Sequence, residues 1–277
     1  GTSMPDLVVN VVSAFRGETE LAFGNIVGSN IANLALVLGA SALLMPLTLH
    51  GSLVQREVPL LLLGTTVLTV LALDSVFEGT PSYIGTADSL VLLLLFCVFI
   101  YIMVRDVLRV HHQDAIVTDI ESNPIINPGT VSRLSWLFVL IGLVLLYAGG
   151  EMTVRFSIRF ADRFDLPIAQ VGLFIVAIGT SMPELVTSAI AAVRKESDLA
   201  VGNLVGSNIF NSLLVLPASG LASSIAVPQN GVVDLMFSWA LAALLIPVFI
   251  FGKAKLGRVA GATMLSAYVV WIVVRIG

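Results

Sequence analysis

Charge is what this chain has least of. Asp, Glu, Lys and Arg make up 12% of its 277 residues, about half of what a soluble domain carries. So little charge excludes an ordinary water-soluble globule. A net charge of −4 also excludes the basic field that nucleic-acid binding requires. Cysteine is nearly absent. The single Cys97 cannot form an internal disulfide, so the redox compartment leaves no mark on the sequence. Its position in mid-span makes it an expected packing residue. Histidine is scarce too. No His-rich metal cluster and no nucleophile–base pair stands within the apolar segments, so the chain is expected not to be an enzyme and to hold no resident cofactor. "HHQD", with His111, His112 and Asp114, offers metal-ligating side chains, but its surroundings read as a solvated linker.

Apolar residues fill the space. They make up 57% of the chain, and the mean hydropathy is +1.00. Runs such as "VPLLLLGTTVLTVLAL" and "LVLLLLFCVFIYIMV" approach or exceed what crosses a hydrocarbon layer of about 30 Å. The chain is therefore expected to be a multi-pass integral membrane protein. Nine hydrophobic segments lie near 1–15, 21–48, 55–73, 87–109, 134–160, 166–193, 199–226, 230–251 and 256–275, the first too short to span.

One polar phrase interrupts them twice. "GTSMPDLV" begins at Gly1 and "GTSMPELV" at Gly179. At the same offset of 178, "GNIVGSNIANLALVL" aligns with "GNLVGSNIFNSLLVL", and 23 of the first 38 aligned positions are identical. Hydrophobic bias does not reproduce Asn, Ser, Gly and Pro in register, so the chain holds two homologous halves. They are read as 1–110 and 134–277, joined by the linker 111–133. Five crossings separate equivalent points, and an odd number inverts the second copy. In the second half a helix and the start of another precede the phrase, whereas nothing precedes Gly1. The first repeat is accordingly expected to be incomplete at its N-terminus. Lys and Arg favour the linker side by nine to five, which makes that side cytoplasmic.

An acid at the membrane centre costs about 2.5–3.5 kcal/mol on insertion scales. Asp6 and Glu184 occupy equivalent places in apolar segments that hold no nearby Lys or Arg. A bound cation would compensate both. Pro5 and Pro183 clash with the carbonyls four residues back, those of Gly1 and Gly179. A helix broken there frees main-chain oxygens. The same turn holds Thr2, Ser3 and Asp6 in one copy, and Thr180, Ser181 and Glu184 in the other. This is a hard, oxygen-only donor set that suits Na⁺ or Ca²⁺. Ser29 and Asn33 share a helix face, as do Ser207 and Asn211, and they supply the facing wall. Gly24, Gly28, Gly202 and Gly206 are expected to let helices approach closely. Asn25, Asn30, Asn203 and Asn208 are expected to hydrogen-bond between helices. Glu151 is expected at the interface, near its segment's end.

On these two phrases the sequence resembles the calcium/cation antiporter superfamily, most closely its sodium/calcium exchanger branch, whose repeats carry G-T-S-x-P-E and G-N-x-x-G-S-N-I-x-[ND]. The resemblance implies an all-α polytopic membrane fold of two inverted-topology repeats of five helices, with the first helix and part of the second absent here. It places ion ligands on Thr2, Ser3, Asp6, Ser29, Asn33, Thr180, Ser181, Glu184, Ser207 and Asn211. Two positions depart from the family pattern. Asp6 stands where Glu is usual and reaches about 1.5 Å less far. Asn211 stands where many exchangers have Asp. The site then holds at most two negative charges, which one Ca²⁺ or two monovalent ions neutralise.

The leading expectation is a monomeric antiporter exchanging Ca²⁺ against Na⁺ in a prokaryotic inner membrane. Ca²⁺/H⁺ exchange, and a truncated form that binds cations without transporting them, are the alternatives. A channel usually gains its ring of acids from several subunits, whereas this chain builds a two-sided site internally.

Overall fold

The computed structural model of the chain describes residues 1–49, 56–77, 79–111, 133–251 and 254–276. The linker and the "HHQD" motif lie outside them, apart from the helix ends at His111 and Arg133. The principal helices are α1 Met4–Phe15, α2 Thr19–Leu44, α3 Val58–Leu71, α4 Thr86–His111, α5 Arg133–Phe164, α6 Ile168–Thr180, α7 Met182–Val193, α8 Ser197–Ala222, α9 Gly231–Phe251 and α10 Arg258–Ile276.

Proline sets where the repeated phrases become helix. Pro5 and Pro183 fall in the first turns of α1 and α7, where a missing N–H breaks no intrahelical bond. Ahead of Pro183 the chain bends by 43° between α6 and α7, at the break its phrase predicts. Helices α1 and α7 are offset by 178 residues at both ends, and so are α2 and α8.

Six of the described helices are long and apolar enough to cross a membrane, or seven if α6 and α7 count as one bent span. The segment read near 55–73 is shorter than expected. Helix α3 has 14 residues, about 21 Å at 1.5 Å per residue. Two-residue strands add a feature the hydropathy reading missed. Leu47–Thr48 pairs with Lys255–Leu256, and Tyr83–Ile84 pairs with Ile225–Ala226. Each strand that follows α2 or α8 thus pairs with the strand preceding the last helix of the other half.

The core lies along α2 and α8, whose apolar windows are 83% and 67% buried. The corresponding windows of α4 and α5 are only 11% buried. Their outward Leu94, Val98, Leu140 and Val144 are exposed, and such apolar exposure carries no penalty where lipid covers it. Cys97 lies on this outer face of α4 and is exposed, so the packing role expected of it is corrected.

Glycine lets α6 lie against α2. A Cβ on Gly24 would stand 2.3 Å from the Ala169 carbonyl oxygen, and one on Gly28 would stand 2.2 Å from that of Leu173. Gly206 differs from its counterpart Gly28 and has no neighbour within 4 Å. The backbone over Gly28 is that of α6, in the second half. Gly28→Ala is expected to lower the unfolding temperature in detergent, with an overpacking cost of about 1–3 kcal/mol. Parent-like melting of Gly28→Ala would contradict this packing.

Candidate cation site

The two acids meet where the four repeated elements converge. Asp6 and Glu184, in the first turns of α1 and α7, are both buried. The facing walls are α2 and α8, and each contains a π-helical turn that the sequence reading missed, Ala32–Val37 and Asn211–Val215. The main-chain oxygens of Asn33 and Asn211 accept from the N–H groups of Leu38 and Leu216, five residues on. Wide turns of this kind recur at functional sites. Here they fall on the two Asn residues that the helix-face argument selects.

The copies use their acids differently. Asp6 is held by three neutral donors. Its Oδ1 accepts from Asn25 Nδ2 at 3.0 Å and from Ser29 Oγ at 3.1 Å, and its Oδ2 accepts from Asn211 Nδ2 at 3.1 Å. Glu184 is held on one oxygen only. The Ser3 and Ser207 hydroxyls, 2.9 Å apart, reach its Oε1 at 3.1 and 3.3 Å. Neither acid has an ion-pair partner among the described residues.

The rest of the network joins the halves. Thr180 Oγ1 donates to Asn25 Oδ1 at 3.1 Å and lies 3.2 Å from Ser29 Oγ. Thr2 Oγ1 donates to Asn203 Oδ1 at 3.3 Å. Asn33 Nδ2 donates to Asn208 Oδ1 at 3.0 Å, Asn208 Nδ2 to the Asn30 carbonyl at 3.0 Å, and Asn30 Nδ2 to Ser212 Oγ at 2.9 Å. Asn25, Asn30, Asn203 and Asn208 thus act between helices, as expected.

All ten residues singled out in the sequence lie at this junction, and nine of them are buried, with Thr2 half-buried. Four of their oxygens have no hydrogen-bond partner among the described residues: Asn33 Oδ1, Ser181 Oγ, Glu184 Oε2 and Asn211 Oδ1. Both Asn side chains spend their N–H₂ on neighbours and leave the carbonyl end free. A buried oxygen left so costs about 1–3 kcal/mol, and a hard cation satisfies several at once.

Two cavities approach the junction from different sides. One, of about 280 Å³, is lined by Thr2, Ser3, Asn203 and Ser207. The other, of about 600 Å³, is mostly apolar and reaches Pro5, Gly179 and Thr180.

Other charges lie outside the site. Glu151 joins Arg16 and Arg155 in a partly exposed cluster. A third buried acid, Asp234, escaped the sequence reading. It receives Arg275 through two nitrogens, both at 2.8 Å, and Trp271 Nε1 at 3.1 Å. The signal was an acid in the first turn of α9 and an Arg in the last turn of α10. With its charge matched inside the protein, Asp234 needs no cation.

The fold and the junction describe an all-helical, multi-pass membrane protein with an internally repeated, oxygen-lined polar centre. A family model described as sodium/calcium exchanger protein matches residues 1–105 and 134–277, and the chain belongs to that family. It is 34% identical over 274 residues to CaxA of Alkalimonas amylolytica, covering 97% of this chain and 82% of the relative. It is 32% identical over 279 residues to the inner membrane protein YrbG of Escherichia coli, covering 98% and 82%. A solved structure of the sodium-calcium exchanger NCX_Mj, soaked with Na⁺ and Ca²⁺, matches with a TM-score of 0.70 and 26% identity, over 99% of this chain and 82% of that one.

Proposed function

We propose that this protein is a secondary antiporter that exchanges Ca²⁺ against Na⁺ by alternating access. The observation that carries the reading is the set of four buried, unpartnered oxygens on Asn33, Ser181, Glu184 and Asn211, beside two carboxylates that no protein cation among the described residues neutralises. Oxygens alone, with at most two negative charges, suit a hard cation. One Ca²⁺ or two Na⁺ balance those charges, so the two ions compete for one site, and competition at one site is what couples their fluxes. The repeats 1–110 and 134–277, joined by the linker 111–133, form the two sides of the carrier. Ca²⁺ and Na⁺ are substrates here, with no resident cofactor and no catalytic chemistry. A single chain supplies the whole site, so the working unit is a monomer in a prokaryotic inner membrane.

One observation favours a second reading, Ca²⁺/H⁺ exchange. Glu184 Oε2 receives no donor and is a place for a proton as much as for a cation. Ca²⁺ uptake into proteoliposomes separates the two. Uptake is expected when Na⁺ is loaded inside and diluted outside at equal pH. Uptake driven only by a pH gradient would select proton coupling, and no uptake under either gradient would leave a site that binds without transport.

A further inference from the structure

The two copies of the helix break also differ beyond the repeated phrase. Four residues after the acid, the second copy has Ser188 and the first has Asn10. Ser188 is satisfied within its own half. Its hydroxyl donates to the Ala200 carbonyl at 3.2 Å and accepts from Asn203 Nδ2 at 3.3 Å. Asn10 is only half satisfied. Its Nδ2 donates to the Asp6 main-chain oxygen at 2.7 Å, which fixes the carboxamide against its own helix. Its Oδ1 finds no partner among the described residues, although Asn10 is fully buried.

This difference is paired with the one at the acid. Where the first copy shortens Glu to Asp, it lengthens Ser to Asn one turn along the same face. An oxygen withdrawn from the centre reappears about 6 Å away along α1, one turn at 1.5 Å per residue. The face stays polar beyond it. Asp6, Asn10 and Ser13 are all buried, whereas the equivalent stripe in the second copy is Glu184, Ser188 and Ala191. Helix α1 packs on α2 and on the Leu216–Ala222 end of α8, so the stripe faces protein and not lipid.

We propose that Asn10 Oδ1 is itself a cation ligand, marking a Na⁺ subsite one turn along α1 from Asp6 that the second copy lacks. The inference rests on the exchanger reading above and adds where one of the monovalent ions sits. A neutral amide oxygen brings no charge, and the nearby Asp6 already receives three donors. The subsite therefore suits a monovalent, partly hydrated ion and not Ca²⁺.

Thermal unfolding in detergent tests this on the parent, on Asn10→Ser and on Asn10→Leu, each titrated separately with NaCl against choline chloride and with CaCl₂. Asn10→Ser installs the second copy's residue, and it keeps the test decisive should Asn10→Leu not fold. The parent is expected to be stabilised by both ions. Both variants should need at least about tenfold more Na⁺ for the same shift, the change expected when one ligand is lost, with the Ca²⁺ response unchanged. If Asn10 merely orients a water or is an idle polar group, Asn10→Leu melts higher at every Na⁺ concentration and the Na⁺ midpoint does not move, which overturns the subsite. Equal weakening of the Na⁺ and Ca²⁺ responses also overturns it. A parent that responds to both ions with an unmoved Na⁺ midpoint in both variants sinks the subsite alone, whereas a parent that fails to respond to Na⁺ sinks the Ca²⁺/Na⁺ exchanger reading with it.

Discussion

Glu184→Gln is expected to abolish Ca²⁺ binding by isothermal titration, a loss beyond about 1000-fold. One of two negative charges disappears from a site that holds no other, and at ion-contact distance a single charge is worth several kcal/mol even at an effective dielectric near 20. The amide adds a second injury. Glu184 Oε2 is one of the four unpartnered oxygens, and an N–H₂ in its place presents donors to a cation. Asp6→Asn is expected to weaken Ca²⁺ binding strongly but less, because the Asp6 oxygens are already engaged by Asn25, Ser29 and Asn211. Parent-like titration of Glu184→Gln would remove Glu184 from the ligand set.

Asn211→Asp is expected to make Ca²⁺ binding pH-dependent. In the parent the Asn211 amide donates to Asp6 Oδ2 at 3.1 Å. A carboxylate there puts two negative oxygens at that separation, where both cannot remain ionised, and the pair holds one proton between them. Ca²⁺ must displace that proton. Affinity should then fall by up to about tenfold for each unit that pH is lowered, as one-proton linkage requires, and titrations in buffers of different ionisation enthalpy should report proton release. The alternative within the same account is that the introduced carboxylate recruits a further cation. The variant would then show a steeper Na⁺ dependence of Ca²⁺ flux. A variant that matches the parent at every pH and every Na⁺ concentration would mean that Asn211 does not set the charge of the site.

Much of this site was legible because its costs are local. Acids at Asp6 and Glu184 and prolines beside them violate the rules of a membrane helix, and a violation repeated at an offset of 178 points to function. The helix-face argument that joined Ser29 to Asn33, and Ser207 to Asn211, needed only the helical period. Features that depend on contact between distant segments were not legible. Nothing in "GSNIAN" marks the π-helical turn that begins at Ala32. Leu47–Thr48 looks like a loop until Lys255–Leu256 lies beside it. Cys97 could not be placed because hydropathy finds a span without saying which face meets lipid. Asp234 looked ordinary because its partner, Arg275, lies 41 residues on. The division of labour between the acids was hidden as well. The two phrases differ by one methylene, yet one acid is held by three donors and the other keeps an oxygen free.

The central claim is that both halves contribute ligands to one cation site. Anomalous diffraction at long wavelength, from crystals of this protein grown in Ca²⁺, tests it most directly. The account predicts a Ca²⁺ peak within coordination distance of Glu184 Oε2, with oxygens from Asn33 of the first half and from Ser181 or Asn211 of the second around it. A peak at Asp234 or Glu151 instead, or no peak at saturating Ca²⁺, would contradict it.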